Sequence, residues 1–236
     1  GTDWDGQYHL AGLLEELCKL DFHWIRLHYL YPDEIDDELI KTIAGNDKIL
    51  KYLDIPIQHI NDNILKRMNR RSTSGQIREL FSKLRRELDG VRLRTSIIAG
   101  LPGEGEDEFE ELCNFLREAK IERAGFFAFS PEEGTPAAAM SDIPDEDTVA
   151  RRLEILYGIQ EQIMDEYNQS CIGKVFDVLC EGGDAVIQRC YGRTYADAPD
   201  IDGKVFFTPK DGIKAGDIVE VIMEDALEGD LIGRAL

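Results

Sequence analysis

KYLDIPIQHINDNILKRMNRRSTSGQIRELFSKLRRELDGVRLRTSIIAGLPGE, from Lys51 to Glu104, contains a complete strand–helix–strand unit. An apolar run, Lys51 to Gln58, reads as a strand. Two helical stretches follow, Asp62 to Met68 and Gln76 to Leu88. A second apolar run, Leu93 to Gly100, ends in Gly-Leu-Pro-Gly, a turn signal. Strands separated by helices of this length argue for crossovers in a parallel sheet. The pattern continues on both sides. Leu10, Leu13, Leu14 and Leu17 predict a helix over Tyr8 to Leu20. Trp24 to Pro32 reads as a strand that the proline stops, and Ile35, Leu39, Ile40 and Ile43 mark a further helix. Glu104, Glu106 and Asp107 open a helix downstream, where acidic residues suit its positive end, and Gly125 to Ser130 reads as another strand. The fold class is therefore α/β. Right-handed crossovers gather the loops after the strands at one end of the sheet, where ligands bind in such folds. The regions of Gln58, Gly100 and Ser130 fall there.

Pro144 and Asp145 precede a long helical stretch, from about Glu146 to Gln169, and the texture then changes. VFDVLCEG, AVIQRCYGR, GKVFF and DIVEVIMEDA are short and strand-like, separated by turn signals such as GGD and AGD. They predict a small antiparallel β-barrel. Two domains are expected, residues 1–169 and 170–236.

The chain of 236 residues carries 27 Lys and Arg against 47 Asp and Glu, a net charge of −20. That balance disfavours direct nucleic-acid binding, which needs clustered cations, and suits either a basic protein partner or plain solubility. No apolar run approaches the roughly 20 residues that span a bilayer, so no membrane partner is expected. The five cysteines, Cys18, Cys113, Cys171, Cys180 and Cys190, show no CxxC spacing. Neither a disulfide framework, a zinc site nor any other metal site is indicated, and a reducing cytoplasm is the simplest setting. The opening without Met points to a piece of a longer protein.

Three motifs sit at predicted strand ends. In PIQHINDNILKRMNR, Pro56 to Arg70, an amide is followed twelve residues later by a guanidinium. The pair can grip a small zwitterion, the amide bonding a hydroxyl and the arginine a carboxylate. Equally, Gln58 can cap a strand and Arg70 can end a solvated helix. RTSIIAGLPGE, Arg94 to Glu104, lets backbone approach a ligand closely, or forms an ordinary tight turn. FAFSPEEGTPA, Phe127 to Ala137, can offer backbone groups to a flat ring, or lie on the surface as a polar loop. His9, His23, His28 and His59 lack metal-ligand spacing, and only His59 has neighbours that single it out.

RLHYLYP, YLDIPIQH with LKRMNR, GLPGE and FSPEEGTPA, in that order, resemble the methylthiotransferase family of radical SAM enzymes along nearly the whole chain. The terminal barrel is similar to the TRAM domain. YLDIPIQH and YADAPDIDGKVFF, Tyr195 to Phe207, resemble the branch that modifies a small-subunit ribosomal protein rather than a tRNA adenosine. The resemblance implies a partial, open, TIM-like radical SAM βα barrel without its first strands, followed by a TRAM-like barrel. It implies a cytoplasmic transferase that adds a methylthio group to the β-carbon of an aspartate in a basic ribosomal protein. The implied cofactors are S-adenosyl-L-methionine and two [4Fe–4S] clusters. The family's CxxxCxxC motif and its second cysteine set are absent from this sequence, so the chain itself is expected to retain neither cluster and to be inactive alone. By resemblance, Gln58 and Ser96 are candidates for the SAM ribose and Arg70 for its carboxylate. Ile98, Phe129 and Ser130 are candidates for flanking adenine. The resemblance names no catalytic residue here.

Two alternatives stand beside this reading: a tRNA-modifying enzyme, and a non-catalytic module that docks on the ribosome. From Ser170 onward there are 7 Lys and Arg against 13 Asp and Glu, a net −6, which disfavours a phosphate-binding barrel. Asp197, Asp200 and Asp202 are the candidates for contacting a basic protein substrate.

Overall fold

The computed structural model describes residues 5–184, 186 and 188–236. Contacts divide the chain into two units, Gly1–Gln160 and Glu161–Leu236. The division falls inside the long helix, nine residues before the boundary at 169/170 that the change in texture suggested.

In the first unit α1 (Leu10–Cys18) leads into β1 (Ile25–Leu27), α2 (Asp37–Gly45) and β2 (Ile49–Asp54). Then come α3 (Asp62–Arg67), α4 (Ser74–Glu87), β3 (Arg92–Ala99), α5 (Glu106–Ala119), β4 (Arg123–Ala128) and the first part of α6 (Glu146–Cys171). The four strands form a parallel sheet in the order β1-β2-β3-β4. Its core is Ile49, Leu53, Leu93 and Ile97 on the strands, packed with Phe81, Leu84, Leu112 and Phe115 from the helices. Helix starts are set locally. The Asp36 carboxylate accepts from the Leu39 amide at 2.8 Å to begin α2. Thr73 and Gln76 exchange side-chain and backbone bonds in a capping box that begins α4. Glu106 and Asp107 occupy the first turn of α5, as the sequence predicts, together with Glu108, whereas Glu104 lies before the helix.

The predicted strand from Trp24 to Pro32 is shorter than expected. Ile25–Leu27 forms the strand beside β2, with one further bond from the Leu30 amide to the Asp54 carbonyl at 2.8 Å, because Tyr29 turns into the left-handed region (φ 60°) and Pro32 opens a 3-10 turn. The aromatic run Tyr29–Tyr31 is thereby freed to line a loop.

In the second unit, β5 (Val175–Asp184), β6 (Arg189–Arg193), β7 (Val205–Thr208), β8 (Ile218–Leu227) and β9 (Asp230–Ala235) close into a barrel ordered β5-β6-β7-β9-β8. Its pairings are antiparallel except β7–β9, which is parallel. Val178, Cys180, Val205, Phe207, Val221 and Met223 fill its interior. Of the predicted strand AVIQRCYGR, Arg189–Arg193 is strand, while Ala185 and Ile187 lie outside the described residues. At Gly233 a Cβ would stand 2.4 Å from the Ile222 carbonyl oxygen, so only glycine lets β8 and β9 approach this closely. Among the described residues, no helix is long and apolar enough to cross a membrane.

Candidate functional site

β2 ends at Asp54, but the chain stays beside β3 for four more residues. The Ile55 amide donates to the Arg94 carbonyl at 2.8 Å. The Gln58 amide donates to the Ser96 carbonyl, and the Ile98 amide donates to the Gln58 carbonyl, both at 2.9 Å. Gln58 thus makes an isolated parallel bridge to β3, flanked by Ser96 and Ile98. Ser96 and Ile98 are two residues apart on a strand, so their side chains share a face. Both are half-buried, whereas the alternating Thr95, Ile97 and Ala99 are buried. Three of the six cofactor candidates therefore meet at one point.

Gln58 adopts φ 69°, a left-handed conformation uncommon for a residue other than glycine or asparagine. Such a conformation costs about 1–3 kcal/mol and persists where the surroundings over-determine it. The two backbone bonds to β3 supply part of that constraint. After the turn, Asn61 caps α3 by accepting from the Asn63 and Ile64 amides, and the helix delivers Arg70 back toward Gln58. The guanidinium of Arg70 stacks over the Tyr31 ring, 5.4 Å from its centroid. Gln58 and Arg70 line one cavity of 230 Å³ together with Tyr29, Leu30, Tyr31 and Pro56. The twelve-residue spacing thus becomes an amide and a cation on the same wall. Sequence reasoning missed the two tyrosines, which it placed in the strand that Pro32 stops; the backbone leaves strand geometry earlier, at Tyr29, with no signal in the sequence.

Phe129 and Ser130 are placed differently. The Phe129 amide continues the β3–β4 ladder by donating to the Ala99 carbonyl at 2.8 Å. Its ring lines a separate, mostly apolar cavity of 310 Å³ with Ile64, Met68, Leu101, Pro102 and Met140. Ser130 is exposed, and its hydroxyl donates to Glu132 at 3.0 Å. The chain after this loop is latched by Asp142, whose carboxylate accepts from both terminal nitrogens of Arg67, at 2.7 and 2.8 Å. Hydrogen bonds from Arg67 hold the Asp142 carboxyl below the usual aspartate value.

The turn after β3 is as constrained as the one after β2. Gly100 has φ 83°, and a Cβ there would stand 2.4 Å from a Val149 methyl of α6. Its amide donates to Glu104 Oε1 at 3.0 Å. Glu104 is 3% exposed, buried rather than solvated as a residue read from the first turn of a helix would be.

The aspartate run in the second unit needs correction. Asp197 is 3% exposed and accepts from the Thr194 amide and hydroxyl at 3.1 and 2.7 Å. Asp202 accepts from the Ala198 amide at 2.8 Å. These two shape the loop between β6 and β7, and Asp197 cannot present its charge to a partner. Asp200 is exposed, at φ 60°.

Residues 2–116 match the Radical SAM superfamily model and residues 172–236 match the TRAM domain model. Among curated relatives, proteins called ribosomal protein uS12 methylthiotransferase RimO are similar along the chain. The Clostridium novyi protein is 46% identical over 99% of this chain and the Acetivibrio thermocellus protein 45% identical over 100%; each alignment covers 52% of the relative. The chain thus spans about half the length of the curated relatives it matches. Among solved structures, Escherichia coli coproporphyrinogen III oxidase (HemN), described as a radical SAM enzyme, superposes with a TM-score of 0.53. It is 19% identical and covers 65% of this chain and 37% of its own, which supports the fold. A radical SAM stretch followed by a TRAM domain, with this identity to proteins of one name, makes the chain similar from end to end to about half of a RimO methylthiotransferase.

Proposed function

We propose that this chain forms part of an S-adenosyl-L-methionine-dependent enzyme that methylthiolates an aspartate of ribosomal protein uS12. The carrying observation is that Gln58 and Arg70 line one cavity at the C-terminal end of a parallel sheet. Within that cavity the Gln58 amide is suited to a ribose hydroxyl and the Arg70 guanidinium to a carboxylate, with Tyr31 holding the guanidinium in plane. Ser96 and Ile98 flank the backbone bridge to Gln58 on β3, the first polar and the second apolar, as a sugar and a base require. A half-buried wall of fixed hydrogen-bonding groups fits the nucleoside and amino-acid ends of SAM. Phe129, whose amide continues the β3–β4 ladder, lines a separate cavity, and Ser130 lies further out on the loop.

When bound, SAM and its [4Fe–4S] cluster supply one-electron chemistry able to act on an unactivated carbon. This chain's cysteines do not fit the clusters. They lack the required spacing, and burial pushes the Cys113 and Cys180 thiols up, away from the thiolate that iron needs. The role of these residues is to hold, orient and shield the cofactor.

In the second unit, Asp200 remains available to meet a basic protein, and the acidic balance of the barrel favours such a partner over RNA. The full-length enzyme tests the site. Arg70→Ala should weaken SAM binding at least tenfold by calorimetry, with the fold intact by circular dichroism. Unchanged affinity removes Arg70 from the site.

A further inference from the structure

The cavity takes Pro56 and Gln58 from the turn after β2, and beside Gln58 runs β3, which carries Ser96 and Ile98 and ends at a second turn. Behind them, away from the cavity, lies a fully buried polar cluster. His59, next to Gln58, has its side chain at 0% exposure, as has Glu104. The His59 Nδ1 accepts from the Asn61 amide at 3.0 Å, which leaves the ring proton on Nε2. That Nε2 faces Glu104 Oε2 at 3.5 Å, and neither atom has a hydrogen-bond partner among the described residues. The other carboxylate oxygen, Oε1, accepts from the Gly100 amide at 3.0 Å and from Arg152 at 2.8 Å. Arg152, its side chain 3% exposed, also donates to the Glu104 carbonyl at 2.9 Å and to Glu106 at 3.0 Å. One carboxylate therefore touches the turn after β2, the turn after β3 and α6.

Burial of an ion pair is weak evidence for stability, because desolvation opposes the Coulombic gain. Where its members are hydrogen-bonded, as Glu104 Oε1 is to the Gly100 amide and Arg152, a buried network serves better to fix one arrangement. What this one fixes is specific. Gln58 is held at φ 69°, a strained conformation, with backbone bonds to β3 on one side and the His59 anchor on the other. Gly100, at φ 83°, directly follows β3, the strand that carries Ser96 and Ile98.

We propose that Glu104 is a positioning residue for the cofactor: through His59 and the Gly100 amide it holds the turn that carries Gln58 and the end of the strand that carries Ser96 and Ile98, the nucleoside side of the site, and Arg152 holds the carboxylate in place. This rests on the reading of that cavity as a SAM site, and it adds residues that do not touch the ligand.

The test has two arms. In this chain, nitrogen-15 NMR should show His59 protonated at Nε2 and not at Nδ1. Glu104→Gln should shift the Gln58 and Gly100 amide resonances while those of the β5–β9 barrel stay put. In the full-length enzyme, Glu104→Gln and His59→Phe should each raise the Kd and KM for SAM about tenfold or more. The KM for the protein substrate should hold, and Glu104→Asp should restore part of the loss. A role confined to stability predicts less folded enzyme with unchanged KM for SAM, and that result overturns the proposal. So does a His59 ring protonated at Nδ1. If the unmodified full-length enzyme binds no SAM, the functional reading fails with it. If the unmodified enzyme binds SAM and Glu104→Gln binds it equally well, only the positioning role fails.

Discussion

Gln58 joins strain and recognition in a single residue. A left-handed conformation costs an L-residue about 1–2 kcal/mol, while glycine gives back roughly 0.5–1 kcal/mol in backbone entropy. Gln58→Gly should therefore leave the chain slightly more stable, with a higher urea midpoint, while the full-length enzyme loses affinity for SAM. A lower midpoint would show that the Gln58 side chain is structural. Asp142 gives a pH prediction. Arg67 lowers its folded-state pKa, so the latch contributes at pH values above the ordinary aspartate value near 3.8 and is lost as pH falls through the lowered one. Resonances of the 135–142 loop should hold through pH 5 and change only below about pH 4, and Asp142→Asn should abolish that transition; a transition unchanged by Asp142→Asn would assign it elsewhere. The spacing of the amide and guanidinium singled them out but left a strand cap and a solvated helix end equally open, and only the resemblance gave them cofactor roles. Glu104 was not legible. It stands among the acids of a helix start, and its cation lies 48 residues away, a pairing that only the fold creates. Asp197 misled for the converse reason: its Thr194 partners are near in sequence, but nothing in the run shows that the loop closes over them.

At the level of elements, periodicity carried most of the reading. The helices over Glu106–Ala119 and Glu146–Cys171 and the strands over Arg92–Ala99 and Arg123–Ala128 lie within a few residues of expectation. The strand at Trp24 failed because apolar and aromatic residues continue past the point where the backbone turns at Tyr29. The parallel β7–β9 pairing could not be read either, since strand direction depends on the path between strands and not on their composition. In the barrel, Asp177 and Glu220 stand opposite each other on β5 and β8, both exposed. Like charges in register oppose pairing, and relieving them is worth about 0.2–1 kcal/mol. Asp177→Asn should raise the melting temperature of the barrel by a degree or more at low salt, with the gain shrinking at high salt. No gain at low salt would mean that the two carboxylates are already compensated.

Across the whole molecule, two units use two ways of satisfying strand backbones. Order and composition of the elements announced both units, and family resemblance supplied the chemistry that composition could not. The barrel closes on itself, so every strand has a neighbour on each side. The parallel sheet does not. Among the described residues β1 and β4 each pair on one side, and β4 is six residues long with Phe127 54% exposed. An open strand edge is a template for another chain, although the Phe126 carbonyl of β4 already accepts from the Tyr157 hydroxyl at 3.2 Å. Edge-to-edge self-association is therefore the expected failing of this chain when purified by itself. Sedimentation should show concentration-dependent oligomers that Phe127→Lys suppresses, and residues 161–236 alone should stay monomeric at the same concentrations.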